Sequence, residues 1–422
     1  MPFNSLDEIL NNFHKNISSL NHSIPLVSLV LNKLSLEVNK RKLAILESKV
    51  SENSDQDDSI SFEYSESKEF RKLEKSSDLA ETSSELVPRN FLVSFVSEFD
   101  AFIAYLIKFI YTKKPKLLSG LERSVSFDEL LSFESIEDAQ QHILTKEVES
   151  ILRKSHSEHF SAMEKKFDVK LRKDLDIWPL FIELTERRNL FVHCDGIVSK
   201  QYMKVCSENN VDLSGIVLQG KLRADINYLK TAYKTLYELS SKLVHVLWRK
   251  LFPEERKEAD SALNELAYDL ISDGEYELAV ALLDFGLHVI KKHDNERIKR
   301  MMVINLAQAY KKTGDEKKCF SLLKKYDWGA VGYEFKLAYE LLNENYSKVE
   351  SLLRKLVSVG DLGEVEVLDW PLFSDYRETR KFRGVFKSLF DKEYSVPDSS
   401  SEQEEESAAL RVANSFTPRN EE

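Results

Sequence analysis

One short segment of the sequence carries residue types that can do acid–base and phosphate chemistry. Arg188 and Asn189 are followed by three apolar residues and then by His193, and Gly196 comes soon after. An arginine offers several N–H donors in a fixed fork that suits a phosphate group. A histidine can take or give a proton near neutral pH. About one such spacing is expected by chance in a chain of this length and composition, so the surrounding residues matter.

The same residues also have ordinary structural interpretations. Arg188 can pair with Glu183, with Glu186 or with an acid elsewhere in the chain, and His193 can simply cap the end of a helix. A histidine at the carboxyl end of a helix is favoured in its protonated form. The residue types alone therefore leave both a structural role and a catalytic role open.

Four further titratable residues were considered as site candidates. Glu98 and Asp100 interrupt an apolar stretch and can support Arg188 across a helical bundle, although the polar face of a helix explains them as well. His156 and His159 lie in a polar segment without an adjoining cluster of acids or cysteines, so the sequence predicts no metal site there. The sequence has no Gly-rich phosphate loop either, and no cofactor is predicted.

The elements that must position these residues are predicted to be helices. The chain has 422 residues, of which only 12 are glycine and 9 are proline. Sandwiches, barrels and Rossmann units need many turns, so this composition favours an all-α fold. The formal net charge is −11, which excludes a general attraction to nucleic acid or anionic membrane and requires a local basic patch for any such contact.

The cysteines and the apolar stretches predict a cytoplasmic protein without a membrane partner. Three widely spaced cysteines suit neither a disulfide framework nor a zinc site. The N-terminal residues lack the pattern of a signal peptide. The most apolar stretch, 90–111, contains charged residues and is therefore predicted to be a buried helix rather than a membrane span.

The composition and hydrophobic pattern of the sequence change along the chain and predict five segments. Within the third, Pro179 and Gly196 suit the first turn and the end of a helix from about 178 to 194, and a long amphipathic helix ends at Pro253. The segments are an N-terminal helical segment at 1–50, an acidic Ser-rich linker or insertion at 51–89, a helical bundle at 90–253, helical repeats at 258–392 and a disordered acidic tail at 393–422.

The repeat region contains two units of similar pattern. Gly274 aligns with Gly314 and Ala279 with Cys319, and each unit is predicted to be a helix, a glycine turn and a second helix. This pattern resembles the tetratricopeptide repeat, although the offset between the units exceeds the roughly 34 residues of that family. The resemblance implies a short α-solenoid whose concave surface binds a protein partner.

The segment Leu184–His193, followed by Asp195–Val198 and Tyr202, resembles the HEPN superfamily (higher eukaryotes and prokaryotes nucleotide-binding). The signature of that family is an arginine and a histidine a few residues apart, often with a polar residue after the arginine, and Asn189 matches it. The resemblance covers roughly 90–252. It implies a helical bundle that forms a homodimer, with the two motifs facing each other across one cleft.

The resemblance implies a metal-independent endoribonuclease that acts as a toxin or antiviral defence effector. RNA carries its own nucleophile, the 2′-hydroxyl, so no metal is needed to generate one. On this hypothesis His193 acts as general base or acid, Arg188 stabilises the phosphorane and Asn189 orients one of them or the phosphate. The products would be a 2′,3′-cyclic phosphate and a 5′-hydroxyl. No metal or other cofactor is implied.

Helix geometry limits how Arg188 and His193 can meet. Residues five apart on an ideal helix differ by about 140° after one full turn is removed, so these two do not share a face. Either the helix ends before His193, or the site is built from two chains. The alternative function is a non-catalytic dimeric scaffold whose tetratricopeptide-like repeats recruit a protein partner.

Overall fold

The protein is mostly helical in its structure, a computed structural model that describes residues 2–52, 64–118, 126–173 and 175–395. Within these ranges the only strand-like pairing is an isolated antiparallel bridge between Ile197 and Lys221, which confirms the all-α prediction. The first eight helices are α1 (Leu6–Glu52), α2 (Tyr64–Lys113), α3 (Phe127–Leu131), α4 (Ile136–Leu152), α5 (His156–Phe167), α6 (Trp178–His193), α7 (Lys200–Glu208) and α8 (Ile226–Leu251).

The described residues divide into two compact units, and the division falls inside α8, between Ser240 and Ser241. The sequence places a boundary later, at Pro253, because proline marks the end of the helix. The helices after α8 are α9 (Arg256–Ser272), α10 (Tyr276–Asp284), α11 (Glu296–Lys312), α12 (Glu316–Leu323), α13 (Tyr333–Leu342), α14 (Tyr346–Ser358), α15 (Glu364–Asp369), α16 (Ser374–Arg377) and α17 (Arg380–Phe390).

The core of the first unit is built on the packing of α1 against α2, and α6 packs against α2 as well. Aromatic side chains fill this core. Phe13 of α1 stacks on Phe102 of α2 with 4.8 Å between the ring centroids, and Phe99 of α2 contacts Phe181 of α6 at 5.1 Å. This packing holds α6, the helix that carries Arg188, against the centre of α2.

The predicted linker at 51–89 differs from the structure, because residues 64–89 belong to α2. Leu73 and Ala80 lie seven residues apart and line a groove with Leu34 and Val38 of α1. The Ser77 hydroxyl also donates to the Asn39 side-chain carbonyl at 3.0 Å. Sparse apolar residues at helical spacing are thus enough to pair this Ser-rich segment with α1. The rest of the linker, 53–63, lies outside the described residues.

The second unit contains three successive helical hairpins, α9–α10, α11–α12 and α13–α14, with the same type of turn. Gly274, Gly314 and Glu344 occupy corresponding positions with φ of +77°, +82° and +56°. In each turn the next residue donates its N–H to a carbonyl five residues back. This left-handed geometry explains the two glycines, and it shows that a third unit uses glutamate at the same position.

The predicted tail at 393–422 falls largely outside the described residues, which end at residue 395. Over the ranges that the structure covers, no helix combines the length and the apolar character needed to cross a bilayer.

Candidate functional site

Helix α6 carries all three residues of the predicted site and ends at His193. The N–H groups of Cys194 and Gly196 both donate to the Leu190 carbonyl, at 2.8 and 3.0 Å. Gly196 has a φ of +80°, and a Cβ there would lie 2.9 Å from the Leu222 carbonyl oxygen. Only glycine fits this close left-handed turn. The helix therefore ends at His193 and not before it.

Arg89 of α2 fixes the carboxyl end of α6. Its guanidinium donates to the Phe191 carbonyl at 2.8 Å, pairs with Asp195 and lies 5.1 Å from the centroid of the Phe191 ring. The pair with Arg89, assisted by Lys221, lowers the pKa of Asp195. The position of His193 at this helix end is therefore set by contacts of α2 and of the following loop.

The first of the two adjacent arginines, Arg187, makes several contacts within the fold. Its Nε donates to Glu183 at 2.7 Å, its Nη1 donates to the Arg223 carbonyl at 2.8 Å, and its guanidinium lies 4.0 Å from the centroid of the Tyr228 ring. These contacts make Arg187 a structural residue.

Glu183 is the centre of the network that includes Arg187. This buried carboxylate also accepts hydrogen bonds from the hydroxyls of Tyr202 and Tyr228, each at 2.7 Å. Burial, and then the charge of Glu183, raise the pKa of both phenols. Because Glu183 lies on α6, Tyr202 on α7 and Tyr228 on α8, this carboxylate links α6 to two other helices.

Arg188 lies in a different environment from Arg187. Its side chain is one-fifth exposed and pairs with Asp100 of α2, with 3.2 Å between Nη2 and Oδ2. Its Nε is buried, and no hydrogen-bond acceptor among the described residues reaches it. An arginine has five N–H donors, and the hydrogen bond to Asp100 uses only one of those of Arg188. The idea that Asp100 supports Arg188 across the bundle agrees with this ion pair.

Two histidines that the sequence did not place at the site lie beside Asp100. The Nε2 of His156 is 2.9 Å from Asp100 Oδ1, and the ring of His159 lies 5.1 Å from that of His156. This arrangement could not be predicted from the sequence, because Asp100 lies 56 positions before His156. Packing of the intervening helices brings them together.

Asn189 and His193 complete the predicted set, but in the described part of the chain neither side chain forms a hydrogen bond with Arg188. The Asn189 amide donates to Glu186 at 3.3 Å, and burial raises the pKa of Glu186. His193 is exposed, and in the part of the chain that the structure describes it makes no hydrogen bond. One chain thus brings Arg188 next to Asp100 and His156, and leaves the His193 imidazole separate at the helix end.

No protein-family model, no curated protein and no solved structure matches this chain. The function of the site has therefore to be inferred from its geometry and its chemistry.

Proposed function

We propose that this protein is a metal-independent endoribonuclease of the HEPN type, acting as a toxin or defence effector, with Arg188, Asn189 and His193 as its catalytic residues. One observation carries the proposal. Among the described residues Arg188 is only partly paired and the His193 imidazole, on the same helix, has no hydrogen-bond partner, so both retain the groups that phosphodiester cleavage needs.

The proposal requires a homodimer. Since α6 runs to His193, this histidine and Arg188 are about 140° apart around one helix axis. A second chain related by a two-fold axis presents the same helix in the opposite sense, so that each Arg188 faces the other chain's motif. The bundle around α6 is the proposed dimer surface, and its cleft is the proposed RNA site.

The proposed chemistry uses the 2′-hydroxyl of RNA as the nucleophile. His193 removes the 2′ proton or gives a proton to the 5′ leaving oxygen. Arg188 donates hydrogen bonds to the phosphate oxygens as negative charge develops on them, while Asp100 holds the guanidinium. Asn189 orients the phosphate. The bond to the 5′ oxygen breaks, which leaves a 2′,3′-cyclic phosphate and a 5′-hydroxyl.

The three hairpins of the second unit are proposed to be tetratricopeptide-like repeats that bind a protein partner. Their support is the shared turn geometry at Gly274, Gly314 and Glu344. A row of similar hairpins offers an extended surface to a peptide or a helix.

The test is RNA cleavage in the presence of EDTA by the wild type and by Arg188→Ala and His193→Ala. We expect cyclic-phosphate ends from the wild type and a fall in rate of about a hundredfold or more in both variants. Arg153→Ala and His142→Ala are matched controls, because Arg153 is exposed and the contacts of the His142 ring given by the structure are with Glu129 and Phe133. Both controls should cleave normally.

Intact RNA with the wild type, or wild-type rates in both Arg188→Ala and His193→Ala, would contradict the nuclease proposal. The non-catalytic dimeric scaffold with a protein-binding repeat region would then be the better description.

A further inference from the structure

Asp100, His156 and His159 form a compact group of metal-ligating side chains on α2 and α5. Each offers one ligand atom, and these atoms all lie within 4.8 Å of one another. The two histidines are three residues apart on α5, so both rings project from the same helix face. The group thus joins two neighbouring imidazoles and one carboxylate from the facing helix.

His159 is the most deeply buried residue of this group. It is 2 % exposed, and neither ring nitrogen has a hydrogen-bond partner of good geometry among the described residues. The backbone groups of Leu152 and Lys154 approach the ring without such geometry. A buried polar group without a partner destabilises a protein. A ligand that accepts a lone pair from His159 would remove this cost.

We infer that Asp100, His156 and His159 bind a divalent first-row transition-metal ion of the zinc type. Neutral imidazoles and a carboxylate are ligands that Zn²⁺ accepts, at about 2.0–2.2 Å. Two ligand atoms on one such ion are at most about 4 Å apart, so a small rotation of the side chains closes the group around the ion. Three protein ligands leave one position for water or a further ligand.

The surroundings of the group are compatible with a bound cation. Asp100 faces His156 through Oδ1 and Arg188 through Oδ2. Coordination through Oδ1 replaces the contact with His156 and leaves the pair with Arg188 in place. Asp100 is one-third exposed, which gives the ion a path from solvent, whereas both histidines are buried.

A matched pair elsewhere in the same unit lacks the third ligand. The Nε2 of His142 lies 3.1 Å from Glu129 Oε1, and in the part of the chain that the structure describes no further histidine or cysteine joins them in a metal-sized group. The His142–Glu129 pair therefore serves as a control: it has the same histidine–carboxylate contact but not the third ligand of a metal site.

The metal site does not depend on the proposed nuclease activity, because its measurement needs no RNA. The chain is first stripped with a chelator and dialysed. Zinc is then titrated in competition with a chromogenic chelator, and bound metal is counted by elemental analysis. We compare the wild type with His159→Gln, Asp100→Asn and the control His142→Gln, after checking helical circular dichroism in each.

We expect one zinc ion per wild-type chain and the same affinity in His142→Gln. Loss of a second-shell group typically weakens metal binding by about 10- to 100-fold, so loss of a direct ligand should cost at least about a hundredfold. Asp100→Asn keeps the test decisive if His159→Gln does not fold, because Asp100 is partly exposed. Absence of bound zinc in the wild type, unchanged affinity in the folded ligand variants, or an equal fall in His142→Gln would overturn the inference.

Discussion

The two neighbouring arginines of α6, Arg187 and Arg188, have different surroundings and different numbers of contacts. Arg187 contacts Glu183, the Arg223 carbonyl and the Tyr228 ring. Among the described residues Arg188 makes a single side-chain hydrogen bond, to Asp100. The sequence alone does not distinguish these surroundings. The structure shows that Arg187 contributes to the packing around α6, whereas Arg188 is less engaged.

Glu183→Gln should destabilise the first unit strongly. The substitution leaves the buried Arg187 charge without its counter-charge, which costs about 3 kcal/mol in free energy of unfolding. Glu208→Gln is the control, because its pair with Lys204 is exposed and 3.9 Å long and is worth less than about 1 kcal/mol. Urea unfolding measures both, and equal effects would contradict the structural role of Glu183.

His14 should make the first unit sensitive to acid. Its ring is buried, stacks on Tyr237 at 3.7 Å and lies 3.0 Å from the Ser240 hydroxyl. Burial lowers the pKa of His14 to about 3. The pKa of His14 is lower in the folded state than its unfolded value of about 6.5. The free energy of unfolding is therefore highest above pH 6.5 and falls as the pH drops from there toward 3.

Between pH 7 and pH 5 this loss should amount to about 2 kcal/mol. His14→Phe keeps an aromatic ring on Tyr237 but cannot bind a proton, so its free energy of unfolding should vary less over the same range. Urea unfolding at pH 7, 6 and 5 makes the comparison. Parallel pH profiles for the two proteins would show that His14 is not the responsible group.

At the scale of helices, the hairpins of the second unit depend on their turns. The N–H of Asp315 donates to the Tyr310 carbonyl at 2.8 Å, and the N–H of Glu275 donates to the Leu270 carbonyl at the same distance. Both bonds require the preceding residue to be left-handed, and glycine adopts that conformation without steric cost. The repeated glycines of the sequence are therefore explained by backbone geometry.

Gly314→Ala should lower the stability of the second unit by about 1 kcal/mol, because its φ is +82° although a Cβ meets nothing within 4 Å. Gly384→Ala is the opposite control. Gly384 lies inside α17 with equally open space, and alanine there should raise stability by about 0.5–1 kcal/mol. Thermal unfolding of both variants gives the signs, and two equal signs would contradict this explanation.

At the scale of the whole molecule, local sequence patterns are enough to predict the all-α class. The extent of α2 and the contacts between helices depend on long-range packing. Pro179 and Gly196 predicted a helix from about 178 to 194, and α6 spans Trp178–His193. Residues that mark the ends of a helix act locally, so they can be recognised in the sequence. The helical state of residues 64–89 depends on pairing with α1, which their polar composition does not reveal.

The arrangement around Arg188 was beyond sequence analysis for the same reason. Asp100 was considered as a support for Arg188, since an acid in an apolar helix stands out. The sequence around His156 and His159 predicts no metal site, because no cluster of acids or cysteines adjoins them. Their partner Asp100 reaches them only through the packed bundle, and no spacing rule covers a contact of that kind.

The central claim is that Arg188 of one chain and His193 of another act on the same phosphate, and mixed dimers test it most directly. Chains carrying Arg188→Ala and His193→Ala are co-expressed with different tags, and only mixed dimers are purified. A shared site predicts about half of the wild-type activity, because one of the two sites regains both residues. Each variant alone should stay inactive.

The reciprocal mixture pairs a wild-type chain with a chain that carries both substitutions. A site shared between chains predicts no activity here, because each site then lacks one of the two residues. Activity in this second mixture together with none in the first would contradict the account, since it would place Arg188 and His193 of a single chain in one site.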